Sequence, residues 1–261
     1  MLRSLCVPAA FGMLALTSGI VEGQGAAPAS PAPRIVTEWS TETRLAIGMH
    51  VNDSALQQML PDGWTSAPFT TPTNRGANLT VAFVERQLAR DGQGKPFRTG
   101  TSRYVVLVAP ATNAAGELNS VVIGGVSPEG PGAYDVNALA SLSAVQRSSD
   151  AQGEAGGRVE ERWTFGSSGG DRIELRVAYQ RAAPVKSHLT SHVRSAKHPT
   201  LTRSYEIDQA ADVLRSASTV DRVDAFRLRV TGKAFATLFD GTERVVSVTS
   251  IPWYVREISV P

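Results

Sequence analysis

Apolar residues recur at every second position along much of the chain, and this alternation predicts strands. Residues 173–179 are the clearest case, with apolar side chains on one face and charged ones on the other, as in a half-buried strand. Residues 159–165 are expected to pair with them across the Gly/Ser-rich turn at 167–170. Similar patterns predict further strands at residues 43–51, 78–88, 103–108, 118–126, 201–207, 226–230 and 244–255.

Cap and turn residues between these segments predict how they connect. Asn52 or Asp53 can cap a short helix. The turn at 113–116 favours a hairpin, and Asp240-Gly241 favours a second hairpin at the end of the chain. Two further helices are predicted, at residues 134–147 and 209–216.

These elements predict an α+β fold that is predominantly antiparallel β, with roughly eight or more strands and two or three short helices. Because most strands are apolar on one face and are joined by short turns, we expect a curled sheet or barrel-like architecture rather than a parallel α/β layer. No internal repeat or second linker interrupts residues 35–261. A single domain is therefore expected there.

The N-terminus has the pattern of a targeting segment. Arg3 precedes an apolar run that small residues follow, so residues 1–25 are predicted to be a signal peptide. Residues 26–34 are rich in Pro and Ala and are expected to form an extended linker. Cleavage would leave no membrane anchor, which predicts a secreted or periplasmic protein.

Composition narrows the class of protein. The chain has 261 residues, 42% hydrophobic and 19% charged, which excludes collagen-like, coiled-coil and disordered chains. Its formal net charge of +2 gives no argument for a nucleic-acid partner. The one cysteine, Cys6, lies in the predicted signal peptide, so the mature chain would have no disulfide, thiolate metal site or cysteine nucleophile. No phosphate loop or cofactor fingerprint is present, and no cofactor is expected.

Four stretches carry a family resemblance: VNDSALQQMLPDGW at 51–64, GANLTVAFVER at 76–86, YEIDQAADVLRS at 205–216 and LFDGTERVVSVTSIPWYVRE at 238–257. Their order and apolar pattern resemble the acetoacetate decarboxylase-like superfamily. The resemblance implies a barrel-like α+β fold around an internal pocket, often in a homo-oligomer, with a small organic acid or carbonyl compound as the ligand.

The sequence departs from that family where its decarboxylases carry their chemistry. Those enzymes form a Schiff base on a lysine that a second lysine activates. No lysine lies between Lys95 and Lys186, and the segment 124–139, where the pair would be expected, has none. Schiff-base decarboxylation is therefore not expected, whereas binding or another reaction on the same scaffold is.

Charged residues within apolar strands are the candidates for a pocket. Glu85 and Arg103 are the predicted catalytic pair if the chain is a hydrolase, or a lyase acting on a keto acid or related carboxylate. The predicted ligand-binding residues are Arg44, Glu161, Lys186 and Arg194. Strand parity alone leaves open which of these side chains face inward and which lie on the surface.

Residues 175–205 contain no Asp or Glu and carry six cations. This basic strip is either a solvated segment or a surface for anionic polymers, which makes an interaction module the third functional hypothesis. His188, His192 and His198 lie there too, without the Glu and Gly of a helical zinc-protease motif. Solvated histidines are the main interpretation, structural or adventitious metal binding is the alternative, and no metal site is assigned.

Overall fold

The computed structural model describes residues 34–96, 101–150, 156–198, 200–218 and 220–260, which belong to one compact unit, residues 33–261. The predicted signal peptide and the linker up to residue 33 lie outside the described residues. The elements are β1 (Ile35–His50), α1 (Asp53–Met59), β2 (Trp64–Ser66), β3 (Leu79–Asp91), β4 (Ser102–Asn113), β5 (Leu118–Ser127), β6 (Asn137–Ser149), β7 (Arg158–Ser167), β8 (Arg172–Gln180), β9 (Val185–Ser195), β10 (Thr202–Arg215), β11 (Val223–Thr231) and β12 (Arg244–Val260).

Seven of the strands form a closed ring. Their order is β5-β9-β10-β12-β1-β3-β4, and β4 in turn pairs with β5. Neighbouring strands are antiparallel except β5 and β9, which run parallel between residues 120–122 and 193–195. Closure gives each of these strands an inner and an outer face.

A second layer, formed by β6, β7, β8 and β11, continues from β5. β6 pairs with β5 only over residues 125–127, and then with β7 along its length. The large hydrophobic core lies between this layer and the outer face of the ring. Phe83 of β3 meets Trp163 and Phe165 of β7 there, with ring centroids 5.9 and 6.1 Å apart.

Strands at this interface are buried on both faces. On β1, Leu45, Ile47 and Met49 belong to the large core, whereas Arg44 and Ala46 line the interior of the ring. Because the second layer covers the outer face, apolar side chains occupy both sides of the strand. Hydrophobic alternation therefore finds the strand without showing which face lines an interior.

The predominantly antiparallel architecture is confirmed, and so are several local predictions. α1 begins after Asn52, whose side chain accepts hydrogen bonds from the backbone N–H groups of Ser54 and Ala55. β4 and β5 form the predicted hairpin. β7 and β8 pair across the turn at 167–170, as expected.

The two other predicted helices are wrong. Residues 137–147 belong to β6, because pairing with β7 outweighs a local pattern compatible with a helix. Residues 209–215 belong to β10, whose register shifts after Ala210. The shift gives the buried Ile207, Ala210 and Leu214 a spacing that resembles one face of a helix.

The predicted terminal hairpin is also wrong. β11 pairs with β8, whereas β12 pairs with β1 and β10. Within the described residues α1 is the one α-helix. No helix in that part of the chain is long and apolar enough to cross a membrane.

Candidate functional site

A cavity of about 270 Å³ lies inside the ring. All seven ring strands contribute side chains to its wall. The loop 128–136, which joins β5 to β6, adds Glu129 and Tyr134. Gly130 and Gly132 adopt left-handed backbone in this loop, a conformation that glycine tolerates without strain. The loop can therefore turn tightly and still present its larger side chains to the cavity.

Charged residues gather at one end of the cavity. Arg86 lies near the C-terminal end of β3, and Tyr104 near the N-terminal end of β4. Arg203 lies near the N-terminal end of β10, and Arg256 near the C-terminal end of β12. Since neighbouring strands here are antiparallel, these positions meet at the same end of the ring. Glu38, near the start of β1, joins them, and we call this the charged end.

The opposite end of the cavity is mainly apolar. Ala46 of β1 lies opposite Ala82 of β3, and Val108 of β4 lies opposite Val122 of β5. Ile207 of β10 and Ile251 of β12 add further apolar side chains to this apolar end, and Thr80 of β3 and Ser120 of β5 add two hydroxyls. The cavity is therefore amphipathic along the ring axis.

Glu42 is a fully buried anion that holds two arginines in place. Its carboxylate accepts a hydrogen bond from Arg44 Nε at 2.6 Å and lies 3.1 Å from Arg256 Nη2. Ser40 Oγ and Tyr104 Oη donate to it at 3.0 and 3.2 Å. Burial alone would raise the pKa of Glu42, but the two arginines outweigh burial and lower the pKa to about 2. Glu42 is thus a permanent anion at neutral pH and not a general acid or base.

Tyrosine rings hold the same two arginines from another side. The Arg44 guanidinium lies 3.6 Å from the ring centre of Tyr254, and that of Arg256 lies 4.9 Å from the ring centre of Tyr205. Burial raises the pKa of Tyr254 above its usual value, so its hydroxyl stays neutral. Stacking and ion pairing together fix both positive charges in the cavity wall.

Arg86 forms a second group of ion pairs at the charged end. Its Nη1 lies 3.6 Å from Glu38 Oε1, and its Nη2 pairs with Glu129 of the loop. Arg256 Nη2 approaches the same Glu38 oxygen at 3.8 Å. That oxygen is buried without a hydrogen-bond partner among the described residues. The two guanidinium groups therefore balance it by charge alone.

Arg203 has no carboxylate partner among the described residues. Its side chain lines the cavity, its Nε is buried, and it donates no hydrogen bond to them. The guanidinium lies 5.8 Å from the ring centre of Tyr134, whose Oη is 2.5 Å from Tyr205 Oη. Two hydroxyls that share one hydrogen bond leave one hydroxyl hydrogen for another acceptor. Arg203 and the tyrosine pair can thus donate to an anionic or carbonyl group.

Among the described residues, the charges around the cavity do not cancel. The four arginines are Arg44, Arg86, Arg203 and Arg256, and the three glutamates against them are Glu38, Glu42 and Glu129. One positive charge is left over, and Arg203 carries it. Because Arg203 is only partly exposed and an uncompensated charge that is withdrawn from water is costly, this arrangement favours one anionic group in the cavity.

The predicted catalytic pair lies elsewhere. Glu85 and Arg103 face each other across β3 and β4 and form an ion pair at 2.9 Å. They lie on the outer face of these strands, where Arg147 of β6 approaches Glu85 at 3.5 Å. Neither residue lines the cavity, whereas the predicted ligand-binding residue Arg44 does.

Glu161 lies in the second layer, on β7, and not in the ring. Its carboxylate accepts hydrogen bonds from Trp163 Nε1, Tyr179 Oη and Arg147 Nη2 at 2.8, 2.7 and 3.2 Å. These donors satisfy both of its oxygens. The geometry is that of a buried polar cluster within the second layer, which Arg147 and Tyr179 connect to Glu85 and Ser250 of the ring.

The predicted basic strip is spread over several surfaces. Lys186 is exposed on β9, and the Arg194 guanidinium lies 4.9 Å from the ring centre of Trp64. Lys197 pairs with a carboxylate of the loop 128–136 at 2.5 Å, and Arg203 turns into the cavity. The structure thus brings neither Lys186 nor Arg194 to the cavity wall.

The three histidines of the strip contact separate partners. His188 Nδ1 lies 3.0 Å from Asp208, and His198 Nε2 lies 3.0 Å from Asp135. His192 Nδ1 lies 3.1 Å from a serine hydroxyl. The described part of the chain holds no group of three or more His, Cys, Asp or Glu that could bind a metal ion.

Sequence reasoning missed most of the charged end. Glu42 stands two residues before Arg44, so strand parity could have placed both side chains on one face. Arg86 follows Glu85 by one residue, which puts it on the opposite face. Nothing in the sequence links Arg256 to Glu42, because their contact depends on the pairing of β12 with β1.

No protein-family model matches the sequence, and no curated protein sequence matches it either. Two solved structures are similar over most of the chain. One is an acetoacetate decarboxylase-like enzyme from Sphingomonas wittichii RW1, with 12% identity and a TM-score of 0.48, over 86% of this chain and 91% of that chain. The other is the enduracididine biosynthesis enzyme MppR, complexed with the condensation product of pyruvate and imidazole 4-carboxaldehyde, with 10% identity and a TM-score of 0.48, over 87% of both chains. At this level of similarity the chemistry of the cavity has to be derived from this chain's own residues.

Proposed function

We propose that the chain is an exported, acetoacetate decarboxylase-like protein that binds a small organic acid or carbonyl compound inside the ring, without a Schiff base. The observation that carries this proposal is Arg203, a cavity arginine without a carboxylate partner among the described residues. A carboxylate seated there would balance the remaining positive charge and accept charge-assisted hydrogen bonds. The tyrosine pair beside it supplies a further donor.

The lysines of the chain support a function without a Schiff base. The sequence has four, Lys95, Lys186, Lys197 and Lys233, and all are exposed and absent from the cavity wall. A Schiff-base lysine must be uncharged when it attacks, which requires burial or a neighbouring cation in the site. The segment 124–139 instead contributes Glu129 and Tyr134 to the wall.

The two alternative functions have less support. A lyase or hydrolase reaction through Glu85 and Arg103 would take place outside the cavity, on a pair that is already closed by its own hydrogen bond at 2.9 Å. An interaction module would need the basic strip as one surface, yet Arg203 points into the cavity. Export is supported by the sequence of residues 1–25 alone.

A borohydride trapping experiment with a binding readout tests the proposal. The purified protein is incubated with acetoacetate or pyruvate, treated with borohydride and examined by intact mass, while thermal unfolding is followed in parallel. We expect no lysine adduct and a higher Tm with at least one acid. Arg203→Gln should abolish that shift, and Arg176→Gln, which removes an exposed cation on β8, should leave it unchanged.

Two results would contradict the proposal. An adduct mapped to any of the four lysines would restore Schiff-base chemistry. Equal stabilisation of the wild type and Arg203→Gln would show that the acid binds somewhere other than the charged end.

A further inference from the structure

We infer that the ligand of the cavity is a monocarboxylate with an apolar tail of several carbons, bound with its carboxylate at Arg203 and its tail in the apolar end. This inference rests on the proposed function and narrows its ligand class. Three features of the cavity carry it: the separation of charged from apolar residues, the volume, and the charge balance.

The separation of the two ends follows from the strands. Arg203 and Ile207 occupy the same face of β10, four residues apart, which corresponds to about 13 Å along a strand. On β12, Arg256 and Ile251 separate in the same way, and β3 carries Arg86 and Ala82. A ligand that contacts both ends must therefore join an anionic head to an apolar body.

The volume sets the size of that body. At about 30 Å³ per water-sized group, the cavity of about 270 Å³ has room for roughly nine such groups. Hexanoate and octanoate have eight and ten non-hydrogen atoms, whereas acetate has four. Acetate would leave the apolar end without contacts and forgo the free energy of burying Val108, Ile207 and Ile251 against a ligand.

The charge balance excludes a second carboxylate. Within the described part of the chain, one positive charge remains around the cavity, at Arg203. The apolar side chains of this end, Ala46, Ala82, Val108, Val122, Ile207 and Ile251, offer no donor or cation. The polar groups beside them are the hydroxyls of Thr80 and Ser120, and the neighbouring Arg44 is already paired with Glu42. A dicarboxylate of the same length would bury its second charge against them, which costs far more than the contacts return.

Calorimetric titration of the purified protein with acetate, butyrate, hexanoate, octanoate and adipate tests the inference. Affinity should rise about fourfold per methylene up to hexanoate or octanoate, and adipate should bind at least tenfold more weakly than hexanoate. Hexanamide serves as the neutral analogue. Arg203→Gln should weaken hexanoate tenfold or more and leave the affinity for hexanamide unchanged.

A second variant tests the position of the tail. Val108→Phe fills the apolar end and should move the best ligand to a shorter chain, while Leu118→Phe, at an exposed position of β5, should leave the chain-length profile unchanged. Circular dichroism and thermal unfolding verify that each variant folds. Should Val108→Phe fail to fold, Ala46→Val gives the same test with a smaller added volume.

The outcomes separate this inference from the proposed function. Equal affinities for acetate and hexanoate, both lost in Arg203→Gln, would overturn the apolar tail and leave acid binding in place. Tight binding of adipate would overturn the charge argument. Failure of every acid, acetoacetate and pyruvate included, to bind the wild type would overturn the inference and the proposed function together.

Discussion

Replacing Glu42 by Gln tests whether the charged end is organised around one buried anion. The substitution keeps the size of the side chain and removes its charge. Arg44 and Arg256 then lose the carboxylate that lies 2.6 and 3.1 Å from them. Breaking a buried ion pair by removing one partner costs about 3–5 kcal/mol. We expect a loss of stability of that order at neutral pH.

The pH dependence of this loss can be derived from the pKa of Glu42. The pKa falls from the usual 4.5 to about 2 in the folded protein, and one pKa unit corresponds to about 1.4 kcal/mol. Because the folded pKa is lowered, the unfolded chain takes up the proton first. The stabilisation, about 3 kcal/mol in total, is therefore present above pH 5 and is lost as the pH falls towards 2.

Urea unfolding of the wild type and Glu42→Gln at pH 6 and pH 3 measures the effect. The difference in free energy of unfolding between the two proteins should shrink by about 2 kcal/mol over this range. Glu160→Gln is the matched control, since Glu160 is an exposed partner of Arg158, and it should change stability by less than about 1 kcal/mol. An unchanged difference between pH 6 and pH 3 would refute the reasoning.

Three further predictions concern other parts of the chain. Gly125→Ala should lower the free energy of unfolding, measured in urea, by about 1–3 kcal/mol, because a Cβ there would lie 2.3 Å from a backbone carbonyl oxygen of β4. Gly166→Ala is the control and should lower it less, because a Cβ there meets nothing closer than 3.6 Å. Replacing both Glu85 and Arg103 by Gln should leave hexanoate affinity within about twofold in calorimetry, because neither residue lines the cavity, and a tenfold loss would restore their predicted role. If residues 1–25 direct export, N-terminal sequencing of the periplasmic protein should begin at Ala26, and an intact Met1 in that fraction would contradict it.

Most of the strands could be predicted from the sequence, because apolar and polar residues alternate wherever the pairing between two strands is regular. β7 and β8 alternate cleanly, and their predicted pairing is confirmed. Alternation does not reveal a strand's pairing where the register is irregular or the partner strand is distant in the chain. The register shift after Ala210 gives part of β10 the apolar spacing of a helix. β12 pairs with β1, which starts more than two hundred residues earlier in the chain, so no local pattern indicates that pairing.

The candidate site was harder to predict, because a strand that is covered on both sides carries polar side chains on both faces. Some face the cavity, and others face the interface with the second layer. Glu85 and Arg86 are consecutive, and the pleat directs one to the outer face and the other to the cavity. Arg103 and Tyr104 divide in the same way on β4. The sequence drew attention to Glu85 and Arg103, which belong to the polar cluster between ring and second layer.

The outer and inner faces of the ring also differ in whether all of their charged groups are paired. On the outer face, Glu85 pairs with Arg103 and Glu161 accepts hydrogen bonds from three donors, so this cluster closes on itself. On the inner face, the charges of Arg44, Arg86 and Arg256 are balanced, and Arg203 is not. A polar cluster whose groups are all paired stabilises the fold, whereas a surplus charge beside an apolar cavity wall is complementary to a ligand. In the sequence, Arg203 is only one of the six cations of the basic strip. In the structure, the pairing of β10 within the ring places the Arg203 side chain in the cavity wall.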